Sequence, residues 1–218
     1  MRSIIITTLM KRISSVWAVV LFLCGPSFSI SNVYARPLVE MIATDDGIGP
    51  LTIRTLFSED SIKKIFHDFD VSLTKSMLYS EGIAFPAIQV KKGQAELFTI
   101  YSRADSQASE PAPIFGVVSK SPLIRGPQRV KVGDRFAKVF RGAQEKCVPG
   151  MEEISGYIVC LAPKSQRLYY VFSASENSAL PDGVLPPRKD LLKSKIVMLV
   201  WGGVLWGDID AQLRQISQ

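Results

Sequence analysis

Seven short segments rich in β-branched and aromatic residues constrain the fold of this chain more than any other feature of its sequence. Each is bounded by glycine, proline, serine or aspartate, and this combination is typical of β-strands. The segments are VSLTKSMLY, AIQVKKG, AELFTIYS, IFGVVS, GYIVCLA, RLYYVFSA and KIVMLVW. They predict an α+β fold that is mostly antiparallel β-sheet, with one or two short packed helices.

The clearest helix is predicted to follow Ser58. This serine is a suitable N-cap, and Glu59 and Asp60 place negative charge in the first turn, where it favours the helix dipole. The apolar positions that follow have helical spacing and predict one buried face. They are Ile62, Ile65, Phe66 and Phe69.

Three further segments complete the secondary-structure prediction. A second short helix is expected to start near Asp134 in VGDRFAKVF, with Gly133-Asp134 as its cap. The stretch PDGVLPP is expected to be a surface loop, and DIDAQLRQISQ is expected either to form a short helix or to fray at the chain end.

The N-terminus has the pattern of a secretory signal. Three basic residues precede the uncharged run VWAVVLFLC, which is too short to span a bilayer, and the small-residue pattern Val33-Tyr34-Ala35 follows. We predict a cleaved signal peptide over residues 1–35 and a single globular domain over 36–218. The segment from Met10 forms a complete signal by itself, so Met10 is an alternative to Met1 as the translation start.

Cys24 closes the apolar run of this signal and gives an alternative reading. Cleavage before Cys24 would make it the lipid-carrying residue of a bacterial lipoprotein, but Leu23 precedes it, where such signals favour a small residue. Cleavage after Ala35 is therefore the preferred prediction. The mature chain is expected to be periplasmic, or lipid-anchored in the envelope in the alternative reading, without a transmembrane helix.

Export determines how the remaining cysteines, Cys147 and Cys160, are interpreted. In an oxidising compartment two thiols within reach of one another are normally joined, so we predict a structural disulfide that ties a loop at Cys147 to a strand at Cys160. A zinc site lacks ligands, because His67 is the single histidine of the chain. A redox pair would have closer spacing. No metal and no cofactor is predicted.

The net charge gives little support to a nucleic-acid partner. The full chain carries +6, and removal of residues 1–35 takes away three basic residues and no acidic one, which leaves +3. The remaining charges are scattered along the sequence apart from short pairs such as Lys63-Lys64, and no basic stripe is interleaved with aromatic residues. Attraction to an acidic envelope surface stays open.

Candidate catalytic groups are few. We place His67 on the solvent side of the first helix, which favours a surface histidine over a catalytic base. The S-x-x-K matches Ser61–Lys64 and Ser72–Lys75 lack the partner motifs of penicillin-binding enzymes and are attributed to chance.

Carboxylates and tryptophans offer two further sites. A hydrolase could use Asp45, Asp46, Glu152, Glu153 or Asp182, but adjacent residues of an extended segment point to opposite sides and form no dyad by themselves. Trp201 is expected in the core, although an exposed tryptophan could stack on a sugar. We predict no catalytic residue, and the binding residues are undetermined.

Several motifs together resemble a known family. They are GIGP, FPAIQVKKG, CVPGMEEISGYIVC, YYVF and PDGVLPP, and the resemblance extends from Gly47 to Trp201. The chain is similar to bacterial envelope proteins of unknown function that are described as RpoE-regulated lipoproteins. This implies an extracytoplasmic protein linked to envelope stress, without an assigned reaction.

The sequence thus favours a non-catalytic binding or accessory protein of the envelope, whose partner is an unidentified envelope protein or glycan. A carboxylate-dependent hydrolase acting on an envelope polymer is the first alternative. A purely structural membrane-anchored lipoprotein is the second. A cleft that gathers the five carboxylates would favour the hydrolase.

Overall fold

A computed structural model of the chain describes residues 40–76, 85–102, 112–141, 145–150, 154–173, 183–203 and 207–216. These residues belong to a compact unit, Leu38–Gln218. The predicted signal peptide 1–35, with Cys24 and the cleavage position after Ala35, lies outside the described residues. Its processing and the domain boundary at residue 36 therefore stay predictions.

Short strands and a few short helices make up the fold. The strands are β1 Met41–Ile42, β2 Gly47–Ile48, β3 Leu51–Thr52, β4 Asp70–Ser76, β5 Phe85–Lys92, β6 Ala95–Tyr101, β7 Gly116–Ser119, β8 Ile124–Arg125, β9 Cys147–Pro149, β10 Tyr157–Leu161, β11 Leu168–Ser173 and β12 Ile196–Gly202. The helices are α1 Glu59–Ile65, α2 Phe136–Val139, α3 Arg188–Leu191 and α4 Gly207–Gln215.

One antiparallel sheet dominates the architecture and confirms the predicted fold class. Within the described residues it has eight strands in the order β4-β5-β6-β7-β12-β11-β10-β9. The seven segments that the sequence predicts as strands all lie in this sheet, as β4, β5, β6, β7, β10, β11 and β12. Among the described helices, none combines the length and the apolarity needed to cross a bilayer.

The central strands of the sheet are buried on both faces and alternate between two apolar clusters, whereas β4 at one edge is largely exposed. In β11, Tyr170 and Phe172 pack into the larger cluster, whereas Tyr169 and Val171 pack into the smaller one on the opposite face. Helix α4 contributes to the smaller cluster, in which Ile209 is buried. Successive side chains of a strand point to opposite faces of the sheet, so a strand that is buried on both faces needs apolar residues at every position.

Helix α1 confirms its predicted start and is shorter than expected. The Ser58 hydroxyl accepts a hydrogen bond from the backbone N–H of Ser61 at 3.1 Å, as an N-cap does. Ile62 and Phe66 are buried, but the helix ends at Ile65 because the backbone leaves the helical region at Phe66. His67 therefore lies after the helix rather than within it.

Helix α2 corrects a predicted cap. It begins at Phe136, and Asp134 does not cap it. The Asp134 carboxylate instead accepts hydrogen bonds from the backbone N–H of Lys131 at 2.9 Å and from Lys138 Nζ at 2.6 Å. The described part of PDGVLPP has no regular structure, as predicted, and leads into α3, which the sequence did not indicate.

Tyr170 contains a buried polar atom without a partner. Its side chain is fully buried, and its Oη has no hydrogen-bond partner among the described residues. Burial raises the pKa of this phenol. Because an unpaired buried hydroxyl costs free energy, we expect Tyr170→Phe to raise the free energy of unfolding by about 1 kcal/mol, measured by urea denaturation.

The neighbouring tyrosine supplies the control for this substitution. The Tyr169 hydroxyl donates to the backbone oxygen of Gln166 at 3.5 Å, on the other face of the sheet. Tyr169→Phe should therefore leave the free energy of unfolding unchanged or lower it. A loss of stability in Tyr170→Phe would contradict our account of the buried hydroxyl.

Candidate functional site

The predicted disulfide joins Cys147 and Cys160, and it connects two paired strands. Cys147 lies on β9 directly opposite Cys160 on β10, with their Cα atoms 4.0 Å apart. A hydrogen bond from Leu161 N to Lys146 O at 2.9 Å lies next to the pair, so the cysteines occupy a non-hydrogen-bonded position; the bond from Gly150 N to Tyr157 O at 2.8 Å, beside the Pro149–Ile158 pair, has the same register. The expectation that Cys147 lies in a loop is therefore wrong.

Asp45 has a structural role. Its carboxylate accepts hydrogen bonds from the Ser165 hydroxyl and from the backbone N–H groups of Gln166 and Arg167, at 2.9 and 3.0 Å for the two N–H groups. Its backbone oxygen accepts from Trp201 Nε1 at 3.0 Å. Asp45 thus links the N-terminal segment to the β10–β11 turn and to β12.

The other predicted carboxylates do not join Asp45 in a described site. Asp46 is exposed, and Glu152, Glu153 and Asp182 lie outside the described residues. Trp201 is fully buried, which confirms its core position, and Trp206 lies outside the described residues. Among the residues that the structure describes, no group of three or more His, Cys, Asp or Glu is placed to hold a metal ion.

The remaining candidate groups lie at or near the surface. His67 is exposed, and its Nε2 is 3.4 Å from Asp68 Oδ2. The Ser61 hydroxyl accepts from Ser58 at the start of α1. Ser72 and Lys75 are exposed on β4, where adjacent positions of the strand alternate between its two faces.

A concentration of positive charge emerges when the chain folds. We call it the cationic flank, formed by residues 129–141 and 183–195. It contains nine basic residues, Arg129, Lys131, Arg135, Lys138, Arg141, Arg188, Lys189, Lys193 and Lys195. Its only acidic residues are Asp134 and Asp190, so its net charge is +7. Because residues 36–218 carry +3 in total, the rest of that range carries −4.

Backbone pairing brings the two segments of the cationic flank together. Phe136 N donates to Ser194 O at 2.9 Å, and Ile196 N donates to Asp134 O at 2.9 Å. Arg135 and Lys195 lie between these bonds as an antiparallel bridge pair. They occupy a non-hydrogen-bonded position, where opposite side chains are closest and share one face.

The Arg135–Lys195 pair places two positive charges side by side. Both residues are exposed, and no acidic side chain of the described residues forms an ion pair with either of them. Like charges directly opposite one another destabilise a strand pair. An anion bound between them would remove this repulsion, so the pair is a suitable centre for an anion-binding surface.

Other cations of the flank are neutralised within the protein. Lys138 pairs with Asp134 at 2.6 Å, Lys193 with Asp190 at 3.6 Å, and Arg188 with Glu145 at 2.7 Å. Burial raises the pKa of Asp134, but the hydrogen bonds from Lys138 and from the backbone N–H of Lys131 outweigh burial and hold that pKa below its ordinary value. Asp134 therefore stays ionised at neutral pH. Five basic residues of the flank form no ion pair with a described acidic residue, namely Lys131, Arg135, Arg141, Lys189 and Lys195, and of these Arg135 and Lys195 lie directly opposite one another.

The sequence alone did not identify this surface. Its two segments are about fifty residues apart, and each has a modest excess of charge. Counting charged residues in short windows of the sequence would have shown an excess of positive charge in one segment, because residues 129–141 contain five basic residues and one acidic residue. Only the pairing of 133–136 with 194–196 shows that the two excesses add.

Comparisons with known proteins identify a family and a related fold. A family model described as "Protein of unknown function (DUF1131)" matches residues 28–203. The crystal structure of the uncharacterized protein yfeY from Escherichia coli is similar, with a TM-score of 0.56 and 21% sequence identity over 73% of this chain and 97% of that chain. At this identity the similarity supports the fold alone. No curated protein matches the chain.

Proposed function

We propose that this chain, which belongs to the DUF1131 family of proteins of unknown function, is an exported protein of the bacterial envelope that acts by binding rather than by catalysis. The surface that binds is the cationic flank, and its partner is an anionic component of the envelope. The observation that carries the binding role is the exposed Arg135–Lys195 pair, which lacks an acidic partner among the described residues.

The disulfide supports export. Cys147 and Cys160 are buried in the larger apolar cluster and bonded to each other across β9 and β10. Structural disulfides persist in oxidising compartments and are rare in the cytosol, where thiols are kept reduced. This agrees with a signal peptide over residues 1–35 and with a periplasmic location.

The roles of the candidate catalytic groups support a non-catalytic mode of action. The Asp45 carboxylate is occupied by three hydrogen bonds from the β10–β11 turn. His67 is exposed beside Asp68, and Ser61 takes part in the start of α1. A general base needs a position within reach of a bound substrate, and these groups are engaged in structure or face solvent.

The resemblance to RpoE-regulated lipoproteins adds a finer proposal. Regulation by envelope stress would place the protein where envelope lipids or polymers are damaged. Acylation of Cys24 would hold the cationic flank close to a membrane. Globomycin, which blocks lipoprotein signal cleavage, separates the two forms: a shift of the precursor on treatment indicates acylation, and unchanged processing indicates cleavage after Ala35.

Retention by isolated envelopes tests the proposal. The full-length chain is expressed in a Gram-negative host, its fractionation and the protection of its thiols from maleimide are measured, and its co-sedimentation with washed envelopes is determined. We expect an exported, maleimide-resistant protein whose retention falls at least about tenfold in Arg135→Glu/Lys195→Glu, because each reversed charge replaces attraction by repulsion.

A charge reversal on a different part of the fold is the matched control. Lys64→Glu/Lys75→Glu reverses the same number of exposed basic charges, one in α1 and one on β4 at the edge of the sheet. Retention should then stay near the wild-type value. Free thiols in a cytosolic protein would overturn the export proposal, and equal retention of the two double variants would overturn the role of the cationic flank.

A further inference from the structure

We infer that the anionic partner of the cationic flank is the headgroup layer of a membrane that contains anionic phospholipid. This inference rests on the proposed function and specifies the partner to which the cationic flank binds. Three exposed aliphatic side chains support this inference, because they lie in the same segment of the cationic flank, 183–195, as four of its basic residues. Val184 is 49% exposed, Leu185 is 37% exposed and Leu192 is 38% exposed.

The chain places these aliphatic residues around α3. Val184 and Leu185 precede the helix, and Leu192 follows it directly. Between and beyond them come Arg188, Lys189, Lys193 and Lys195. The fold holds this segment in place through Leu191, which is buried in the larger apolar cluster, and through Ser194, which is buried beside α2.

The anchored segment directs some of its side chains into the protein and others towards solvent. Leu191, Ser194 and Ile196 point into the protein, so Leu192 and Lys195 are directed outward. Lys195 then meets Arg135 across the bridge pair. The exposed Leu192 thus lies between Lys189 and Lys193 in the chain and three positions from Lys195, one of the two unneutralised cations of the bridge pair.

This mixture of side chains fits a lipid interface better than a soluble anion. Phosphate headgroups attract lysine and arginine, and the adjoining acyl-chain boundary accepts aliphatic side chains. A free phosphate or a charged glycan would satisfy the cations but would leave the leucines in water. An acidic protein is the other class of partner that combines both kinds of group, and it would retain the chain on envelopes but not on vesicles.

The expected strength is that of a peripheral and reversible contact. Each basic residue near an anionic membrane strengthens partition about fivefold, so removing two lowers it about 25-fold, and reversing their sign lowers it further. Two partly exposed leucines that enter the interface should contribute together at least about fivefold. The contact should weaken as salt rises, because the Debye length falls to about 8 Å at physiological ionic strength.

Vesicle co-sedimentation tests the inference. The chain is expressed with Cys24→Ser, so that no acyl chain contributes, and is purified after export and signal cleavage. It is then mixed with vesicles of phosphatidylcholine alone or with about one third phosphatidylglycerol. We expect binding to the anionic vesicles at low salt, a loss of at least about 25-fold in Arg135→Glu/Lys195→Glu, and a loss of at least about fivefold in Leu185→Ser/Leu192→Ser. Circular dichroism melting confirms that each variant is folded.

A control variant and a competition experiment distinguish lipid binding from other causes of vesicle binding. Lys64→Glu/Lys75→Glu should bind as the parent chain does, and inorganic phosphate at millimolar concentration should compete weakly. Equal binding to both vesicle types, strong competition by free phosphate, or unchanged binding of the leucine variant would overturn the lipid inference.

The envelope assay separates this failure from a failure of the proposed function. If vesicles fail to bind while washed envelopes still retain the parent chain and release Arg135→Glu/Lys195→Glu, the cationic flank has an acidic protein or glycan partner. The proposed function then stands and the lipid inference falls. If neither vesicles nor envelopes bind, both fall.

Discussion

Replacing Cys147 and Cys160 together by alanine should lower the free energy of unfolding by about 3 kcal/mol. The bridge spans 13 positions of the chain, so its loss restores the conformational freedom of a loop of that size to the unfolded state. Both cysteines are buried, and loss of their sulfur atoms also removes packing contacts in the larger apolar cluster. Urea denaturation of the wild-type and double-variant proteins measures the difference.

Chemical reduction gives an independent route to the same comparison. A reducing agent should lower the stability of the wild-type protein towards that of the double variant and should leave the double variant unchanged. Cys24→Ser is the matched control, since it removes the third cysteine of the chain. Stability of the wild type that does not respond to reduction would contradict the structural role of the bridge.

The cysteine pair illustrates what the sequence could and could not predict. The oxidising compartment and the shortage of zinc ligands are sufficient to predict the bond, but the sequence predicts a loop at Cys147, where the structure has the strand Cys147–Pro149. Proline lacks the backbone donor of a ladder, which argues against a strand. Here Pro149 lies opposite Ile158 at a non-hydrogen-bonded position of an edge strand, so its missing N–H is not needed for pairing.

The sheet itself was predictable because its signal is local. Runs such as LYYVFS and IVMLVWG combine β-branched and aromatic residues over the length of one strand, and turn residues bound them. Helix α3 has four residues and no side-chain cap, so the sequence contains little to indicate it. Short elements of this kind are determined by packing rather than by propensity.

The cationic flank could not be predicted from the sequence, because its two segments are far apart along the chain. Arg135 and Lys195 are sixty positions apart, and their charges become neighbours only because 133–136 pairs with 194–196. Asp45 shows the converse case. Its place beside Asp46 suggested a possible carboxylate pair, whereas its partners lie about 120 positions away in the β10–β11 turn.

Asp45→Ala should lower the free energy of unfolding by about 2–4 kcal/mol. The substitution removes the acceptor for the Ser165 hydroxyl and for the backbone N–H groups of Gln166 and Arg167. Hydrogen bonds to a charged acceptor are stronger than those to a neutral one, and the loss also releases the N-terminal segment from the turn. Urea denaturation at neutral pH measures the effect.

Asp46→Ala is the matched control, because it removes the same side chain one position along the chain. Asp46 is exposed, so its substitution should change the free energy of unfolding by no more than about 0.5 kcal/mol. Asp45→Asn should fall between the two, since its amide oxygen accepts without charge while its amide group opposes the backbone N–H groups. If Asp45→Ala and Asp46→Ala proved equally stable, the Asp45 carboxylate would no longer be assigned to structure, and its use as a functional group would have to be considered again.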